Sequence, residues 1–385
     1  MPGKRQDGEI RHTTFKVPAY PTAEQAELME KTFGCCRYLW NQMLSDVQEF
    51  YAATDLHYLP TPARYKGSAP FLKEVDSQAL CTVHQNLRRA FLDYFRNPKT
   101  FQYPRFKTKK ARKESFTVYV RPYRTGPSIR LGKDGVQMPK LGLVKLNLYR
   151  RPPQDWSLRM VTISKTRTGR YFCSLTFGYE VRRPEAVSPT PETTVGLNYS
   201  MARFYVDSDG NSPDLPAAAA AAREKLSRMQ RKLSRMQRGS RNYQSQLHKI
   251  RLQYEHIANQ RRDFAHQQSR RIANAWDAVC VRGADLQVMA RRLQGGSVTD
   301  SGFGMFRDFL RYKLERQGKH YLEVAPYAPA AKTCHVCGQV HEDLPPRART
   351  WVCPCCGAQL SREINTARNI RDFGLTAFQR QAGAA

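Results

Sequence analysis

Residues 194–210, TVGLNYSMARFYVDSDG, predict two short strands joined by a turn, with Asp209-Gly210 as the hairpin signal. Further elements follow in alternation: helices over 225–238 and 243–275, a buried strand at 278–281, a helix at 303–317 and a strand at 320–324. Strands that alternate with helices in this order indicate an α/β sheet. The stretch therefore predicts the fold class of the C-terminal half.

The first of these helices carries an internal repeat. KLSRMQR occurs at 225–231 and again at 232–238, and its leucines and methionines recur at the three- and four-residue steps of a heptad seam. The other faces are almost entirely Lys, Arg, Gln and Ser. A coiled-coil dimer is one interpretation. A basic helix packed on its own domain is favoured, because the helical pattern continues through 243–275.

Two cysteine pairs predict a metal site. Cys334-His-Val-Cys337 and Cys353-Pro-Cys-Cys356 are separated by 15 residues, and a glycine follows each pair. Four thiolates at this spacing match a tetrahedral Zn²⁺ site, and a closed four-thiolate shell indicates structural zinc. Cys355 is then spare. His335 and His341 are alternative ligands, and redox chemistry of the two pairs is the alternative function.

The charge indicates the class of partner. The chain has 63 Lys plus Arg against 33 Asp plus Glu, a net charge of +30. A polyanion such as nucleic acid would neutralise that charge. Five of the ten cysteines cluster near the C-terminus, which is typical of metal binding in a reducing compartment. We expect a cytoplasmic, nucleoid-associated bacterial protein without a membrane partner, since no stretch approaches the ~20 apolar residues of a membrane span.

The first half combines helices with strands. Residues 10–20 alternate as a strand does, and a helix begins after a capping box of Thr22 and Gln25. Residues 56–73 predict a loop, and Asp76 or Ser77 can cap a second helix to Arg96. The basic segment 105–113 has aromatic neighbours, which suits phosphate contact and base stacking. Four later strand patterns predict a small barrel or sheet, at 116–121, 143–149, 158–164 and 170–179.

Several segments together resemble one protein family. They are FKVPAYPTAEQAELMEKTFGCCRYLWNQML, DSQALCTVHQNLRRAFLDYF, YPRFKTKK, VGLNYS, the KLSRMQR repeat, ANQRRDFAHQQS, the cysteine pairs and REINTARNI. Their sequence and order, over roughly 10–376, are similar to TnpB, the transposon-encoded RNA-guided nuclease related to type V CRISPR effectors. Within that family, the chain resembles the TnpB-like nuclease-dead repressors.

The resemblance implies a multidomain α+β fold. A β-barrel wedge domain with an inserted helical recognition domain precedes a RuvC-like α/β domain of the ribonuclease-H fold, which carries an inserted zinc ribbon. The expected boundaries are 1–20 and 115–180 for the wedge, 21–114 for the recognition domain, 181–193 for a linker, 194–332 and 358–376 for the RuvC-like domain, 333–357 for the ribbon and 377–385 for a disordered tail.

The three inherited metal-binding positions depart from the family. Asn198, Arg282 and Glu363 stand where an active enzyme of the family has three carboxylates. Their charges sum to zero in place of −3, and a guanidinium repels a cation by about 4 kcal/mol per unit charge at 4 Å when the effective dielectric is about 20. Arg282 could pair with Glu363, and Asp207, Asp209 or Asp285 could compensate. The expectation is an inactivated nuclease that is not an enzyme and binds no catalytic Mg²⁺.

The expected function is RNA-guided occupancy of promoter DNA by a transcription repressor, with one protein on each structured, transposon-type guide RNA and a short motif beside the duplex target. The alternatives are an RNA-guided endonuclease of residual or altered activity and a transposon accessory RNA-binding protein. By resemblance, the expected motif readers are Tyr51, Ser77, Gln78, Gln85 and Asn86. The expected contacts to the nucleic-acid backbone are Lys107, Lys109, Lys110, Arg112, Lys225, Arg228, Lys232 and Arg238.

Overall fold

A computed structural model describes residues 8–109, 114–124, 126–182, 184–200, 202–214, 217–283, 302–345 and 348–383. The chain divides into two compact units, Met1–Arg182 and Arg183–Ala385. Within the described ranges, no helix has the length and apolar character that crossing a membrane requires.

The first unit begins with strand β1, Gly8–Tyr20, and helix α1, Ala23–Thr54. Thr22 caps α1 as predicted: its hydroxyl accepts from the Gln25 amide nitrogen at 3.3 Å, and the Gln25 side chain accepts from the Thr22 amide nitrogen at 3.0 Å. Between 56 and 73, where a loop was expected, the chain forms the short helix α2, Tyr65–Ser68, and two 3₁₀ turns.

Helix α3, Ser77–Arg96, is capped by Asp76, whose carboxylate accepts from the Gln78 amide nitrogen at 2.8 Å. The predicted helix to Arg96 is confirmed, and Leu80, Leu87 and Phe91 lie buried on one face of it. The exposed face of α3 keeps the polar side chains that sequence analysis singled out.

A seven-stranded antiparallel sheet completes this unit. Its strands run in the order β2-β8-β9-β1-β7-β6-β5, and a separate hairpin joins β3 to β4. Their bounds are β2 Glu114–Tyr119, β3 Pro122–Tyr123, β4 Gly126–Pro127, β5 Arg130–Leu131, β6 Gly135–Met138, β7 Gly142–Leu146, β8 Ser157–Lys165 and β9 Tyr171–Arg182. Because β1 pairs with β9 over its whole length, helices α1–α3 lie in the chain as an insertion into one sheet. Among the described residues no pairing joins β2 to β5, so barrel closure stays a prediction.

The second unit is built on a four-stranded sheet in the order β11-β10-β12-β13. Strands β10, β12 and β13 are parallel and β11 is antiparallel at the edge. In chain order the elements are β10 Thr194–Ser200, β11 Phe204–Asp207, α4 Ala217–Ser234, α5 Arg241–Ala275, β12 Ala278–Arg282, α6 Phe303–Arg316, β13 His320–Val324, β14 Thr350–Val352, β15 Gln359–Ser361 and α7 Arg362–Gly383. The α/β sheet predicted from residues 194–210 is confirmed.

Helices cover both faces of this sheet. Apolar residues of α5 and α6, including Ile272, Phe306 and Leu310, pack with Val279 on one face. Helix α7 covers the other face, where Gly196 lets it approach so closely that an added Cβ would lie 2.0 Å from the Ala367 carbonyl oxygen.

The KLSRMQR repeat packs within its own unit. The Gln246 side chain donates to the Met229 carbonyl oxygen at 3.1 Å, and the Gln253 side chain donates to the Ala222 carbonyl oxygen at 3.0 Å, so α4 lies along α5. The preferred interpretation of a basic helix on its own domain is thus confirmed. Helix α4 ends at Ser234, and a turn closed by Gly239 in the left-handed region follows. Arg238, expected on the helix, therefore lies in that turn.

The last helix is longer than expected. Residues 377–383, predicted as a disordered tail, continue α7. The Phe378 ring packs on the His320 ring, with 4.6 Å between the ring centres. This tertiary contact stabilises the last turns of α7. Residues 384–385 of the predicted tail lie outside the described ranges.

Candidate functional site

The carboxyl ends of two parallel strands bring Asn198 and Arg282 side by side. Gly196 pairs in register with Cys280, and both face α7. Because side chains alternate along a strand, Asn198 and Arg282, two residues further on, face the same helix. All three of Asn198, Arg282 and Glu363 are half-buried.

Glu363 lies in the first turn of α7, where the helix dipole favours a carboxylate. Its Oε1 accepts from the Ser200 hydroxyl at 2.9 Å. Its backbone oxygen accepts from Asn198 Nδ2 at 3.4 Å, and its Oε2 lies 3.8 Å from the Arg203 guanidinium. A hydrogen bond therefore connects two of the three positions, Asn198 and Glu363.

Arg282 has a different partner from the one considered in the sequence analysis. Its guanidinium donates to the Ala328 carbonyl oxygen at 2.5 Å, and among the described residues no ion pair joins it to Glu363. Among the described residues its buried Nε has no hydrogen-bond partner, and burial lowers the pKa of the guanidinium. An arginine stays protonated in proteins, so this end of β12 retains a positive charge.

Of the acids considered as substitutes, Asp207 is committed to other contacts, and so is a further acid, Glu323. Asp207 Oδ1 accepts from the amide nitrogens of Asp209 and Asn211 at 3.0 and 2.7 Å, which fixes the hairpin turn. Asp285 lies outside the described ranges. Glu323, on β13, accepts from Arg307 at 2.8 Å and from Arg311. Since it pairs in register with Val281, it faces away from α7.

The four predicted cysteines form a cluster that could hold a metal ion such as zinc. The ligand atoms of Cys334, Cys337, Cys353 and Cys356 all lie within 4.8 Å of one another. Two Sγ–Sγ distances, Cys334 to Cys356 and Cys337 to Cys353, are both 3.7 Å. Tetrahedral Zn–S bonds of about 2.3 Å require sulfurs about 3.8 Å apart, so the cluster fits this ion.

Each cysteine pair sits on a tight turn. Gly338 and Gly357 adopt φ of 76° and 71°, and their amide nitrogens donate to the Cys334 and Cys353 carbonyl oxygens at 2.8 Å. Burial raises the pKa of Cys353, but the amide nitrogens of Cys356 and Cys355 outweigh it and lower that pKa to about 6. A thiolate at this position is the form that binds a metal.

The expected motif readers are spread along α3, from Ser77 and Gln78 at its start through Gln85 and Asn86 in its middle, with Tyr51 near its other end. Gln78 accepts from Arg121 Nε at 3.3 Å, and Arg121 lines a cavity together with Gln85. Ser77 is exposed at the same helix end. Tyr51 stacks on His57 at 4.6 Å, and His57 contacts Phe95. Phe95 is 17 residues beyond Gln78, about 25 Å along the helix, so Tyr51 lies far from Ser77 and Gln78.

Asn86 and Lys107 line a second cavity, and the Lys107 ammonium lies 3.6 Å from the centre of the Trp40 ring. Lys109 is exposed, while Lys110 and Arg112 lie outside the described ranges. Lys225, Arg228 and Lys232 are exposed along α4. Arg121, between β2 and β3, and Ser200, at the end of β10, were missed, because a single arginine or serine gives no sequence signal.

Three protein-family models match separate parts of the chain. Residues 176–293 match a family model described as "Probable transposase" of the OrfB_IS605 type, and 303–370 match "Cas12f1-like, TNB domain". Residues 11–55 match a model described as "Helix-turn-helix domain", although here they form β1 and the single long helix α1.

Two curated relatives span most of the chain. "Putative RNA-guided DNA endonuclease" of Streptomyces pristinaespiralis is 28% identical over 94% of this chain and 89% of the relative. "Putative RNA-guided DNA endonuclease InsQ" of Escherichia coli K12 is 27% identical over 94% and 92%. The chain is thus similar to the IS605-type transposon proteins called TnpB.

A solved structure, "Cryo-EM structure of the Cas12f1-sgRNA-target DNA complex", superposes with a TM-score of 0.60 at 11% identity, over 94% of this chain and 99% of that one. This likeness establishes a multidomain α+β fold of the Cas12f kind. The expectation that the protein is not an enzyme is wrong, because both curated relatives carry the name of an endonuclease.

Proposed function

We propose that this protein binds a guide RNA, uses it to select a duplex DNA target, and cuts that DNA where Glu363 meets the end of β10. One observation carries the proposal. Glu363 places a carboxylate against the Ser200 hydroxyl at the carboxyl edge of a mixed sheet, in a chain that follows the Cas12f1 fold over 94% of its length. Ligand sites of open α/β sheets lie at this edge.

The residues present do not fit a pair of divalent cations. Two-metal hydrolysis relies on several anionic oxygens to hold both ions, whereas the inherited positions supply one carboxylate, one amide and one guanidinium. The activity is therefore an altered one that depends on Glu363. This carboxylate can accept a proton or orient a water; the Ser200 hydroxyl holds the carboxylate, and Asn198 holds the Glu363 backbone oxygen.

Charge and surface support the nucleic-acid partners. The net charge of +30 requires a polyanion, and α4 presents Lys225, Arg228 and Lys232 on an exposed face that suits phosphate contact. In this proposal Arg121, Gln78 and Gln85 read the motif beside the target, and Lys107 contacts the backbone. The sheet of the first unit is then the wedge, α1–α3 the recognition domain and the second unit a RuvC-like nuclease domain.

The four-cysteine cluster holds zinc in this proposal. Four thiolates close the coordination shell, so the ion stabilises the ribbon and takes no part in hydrolysis.

The test of guide-directed binding uses the protein purified from its own host with its bound RNA. Sequencing that RNA supplies a guide, and a duplex matching the guide is offered to the complex. A scrambled duplex of the same length is the control. We expect binding of the matched duplex alone. Equal binding of both duplexes, or the absence of a discrete RNA, would refute RNA-guided recognition.

Promoter repression is a second candidate function. The single carboxylate favours slow cutting, and a complex that stays on its target blocks RNA polymerase. A reporter with the matched sequence in its promoter tests this, with the match placed downstream of the terminator as control. Equal expression from both reporters would exclude repression.

A further inference from the structure

Asn365 links the first cysteine turn to the helix that carries Glu363. Its Nδ2 donates to the Thr333 carbonyl oxygen at 2.8 Å. Its Oδ1 accepts from the His335 amide nitrogen at 3.0 Å and from His335 Nδ1 at 3.1 Å. Thr333 and His335 flank Cys334, so one buried amide side chain holds both sides of a metal ligand.

One turn later, Asn369 repeats the contact. Its Nδ2 donates to the carbonyl oxygens of Ala330 at 2.8 Å and Thr333 at 2.6 Å. Asn365 and Asn369 are 1% and 3% exposed, so water cannot replace these bonds. The first cysteine turn is therefore held to α7 at two successive turns of the helix.

Arg368 extends the connection to the sheet. Its guanidinium donates to His335 Nε2 at 2.7 Å, which requires the Nδ1–H tautomer that the Asn365 contact also requires. Its Nε donates to the Ser208 carbonyl oxygen at 3.1 Å, and Ser208 Oγ accepts from the Gly196 amide nitrogen at 3.4 Å. Hydrogen bonds thus run from the first cysteine turn to β10, two residues before Asn198.

The second cysteine turn is joined to α7 through the chain itself. Cys356 is followed by β15, and β15 leads directly into Arg362 and Glu363. The Arg362 amide nitrogen donates to the Arg349 carbonyl oxygen at 2.8 Å, which keeps the helix start on the ribbon. A metal ion between the two cysteine turns therefore closes a ring that contains the first turn of α7.

We propose that Asn365 is a positioning residue: through it, the metal-loaded cysteine cluster fixes the first turn of α7 and thereby holds Glu363 against β10. Loss of the metal, or of the Asn365 amide, opens this turn and moves Glu363 away from Ser200. The inference rests on the proposed function only in taking Glu363 as a site residue, since the clamp itself consists of contacts within this unit.

The test is hydrogen exchange of residues 361–366 in the full-length protein. We expect exchange there to be at least about tenfold faster after zinc is removed with a chelator, and also in Asn365→Ala with zinc retained. Gln339→Ala is the matched control. It removes an exposed ribbon amide that donates to the Val340 carbonyl oxygen of the neighbouring residue, and exchange at 361–366 should be unchanged.

Cobalt substitution separates positioning from ribbon folding. Asn365→Ala should retain the wild-type absorption of Co²⁺ bound to four thiolates, while protection of 361–366 is lost. Loss of both would make Asn365 a residue of ribbon folding and overturn the proposal. Unchanged exchange in both metal-free wild type and Asn365→Ala would also overturn it.

If Asn365→Ala does not fold, removal of zinc from the wild type carries the test. The exchange result does not depend on whether DNA is cut, so an absence of cutting with the expected exchange would refute only the proposed function.

Discussion

Ser200 donates its hydroxyl hydrogen to Glu363 Oε1 across 2.9 Å and so joins the end of β10 to the start of α7. The same hydroxyl oxygen accepts from the Arg203 amide nitrogen at 3.3 Å, which fixes its orientation. A hydrogen bond to a charged group contributes more than one between neutral groups, so this contact determines where the carboxylate lies.

Ser200→Ala should slow guide-directed DNA cutting about tenfold while leaving target binding unchanged, because a hydrogen bond to a carboxylate contributes roughly 1.5 kcal/mol. The rate is measured with a saturating matched duplex. Ser227→Ala, at an exposed serine of α4, is the control and should cut at the wild-type rate. Equal rates for the two variants would mean that Ser200 does not position Glu363.

Restoring acids should raise the cutting rate. The double variant Asn198→Asp with Arg282→Glu changes the summed charge of the three positions from zero to −3 and so favours divalent cations. We expect cutting in Mg²⁺ to rise by more than about tenfold. Arg251→Glu, at an exposed position of α5, controls for two of the three units by which the net charge changes. A double variant no faster than this control would show that carboxylates at 198 and 282 do not set the rate.

Gly196 should tolerate no side chain. An alanine Cβ would lie 2.0 Å from the Ala367 carbonyl oxygen and 2.7 Å from the Arg371 amide nitrogen, so α7 must move away from β10. The expected loss in the free energy of unfolding is about 3 kcal/mol, measured by denaturant titration. Gly34→Ala is the control: nothing lies within 4 Å of that Cβ in α1, and a gain of about 0.5–1 kcal/mol is expected. Similar stability for both variants would contradict this packing.

Substitution of Cys353 and substitution of Cys355 should affect zinc binding differently. Cys353→Ser removes a member of the four-cysteine cluster and should abolish stoichiometric zinc, measured by elemental analysis of the purified protein. Cys355→Ser should keep one zinc ion per chain, because Cys355 is outside that set. Zinc lost from Cys355→Ser would mean that Cys355 is a ligand, as in the alternative group of His341, Cys353 and Cys355.

Local signals predicted the elements and the metal cluster. Thr22 with Gln25 marked the start of α1, and the alternation after Thr194 gave the order of strands and helices. The paired cysteines were found from spacing alone, since metal geometry restricts which spacings can meet. Each of these features was predicted from residues that lie close together in the sequence.

These local signals could not predict contacts between segments that are distant in the sequence. Ser200 meets Glu363 across 163 residues, and Arg282 bonds to a backbone carbonyl rather than to the acid considered as its partner. The end of α7 was taken for a disordered tail, because the partner of Phe378 is His320 on β13, which is distant in the sequence. Sequence reasoning also overstated the loss of activity from the changes at 198 and 282, in view of the endonuclease names of the relatives.

The most direct measurement compares wild type with Glu363→Gln, which keeps the shape of the side chain and removes its charge. Each protein, loaded with the same guide RNA, is incubated with Mg²⁺ and a plasmid carrying the matched sequence. Nicked or linear plasmid should form with wild type and not with the variant, while both bind the target equally. Equal cutting by the two proteins, or no cutting by a wild-type complex bound to its target, would contradict the assignment of Glu363 to the cleavage site.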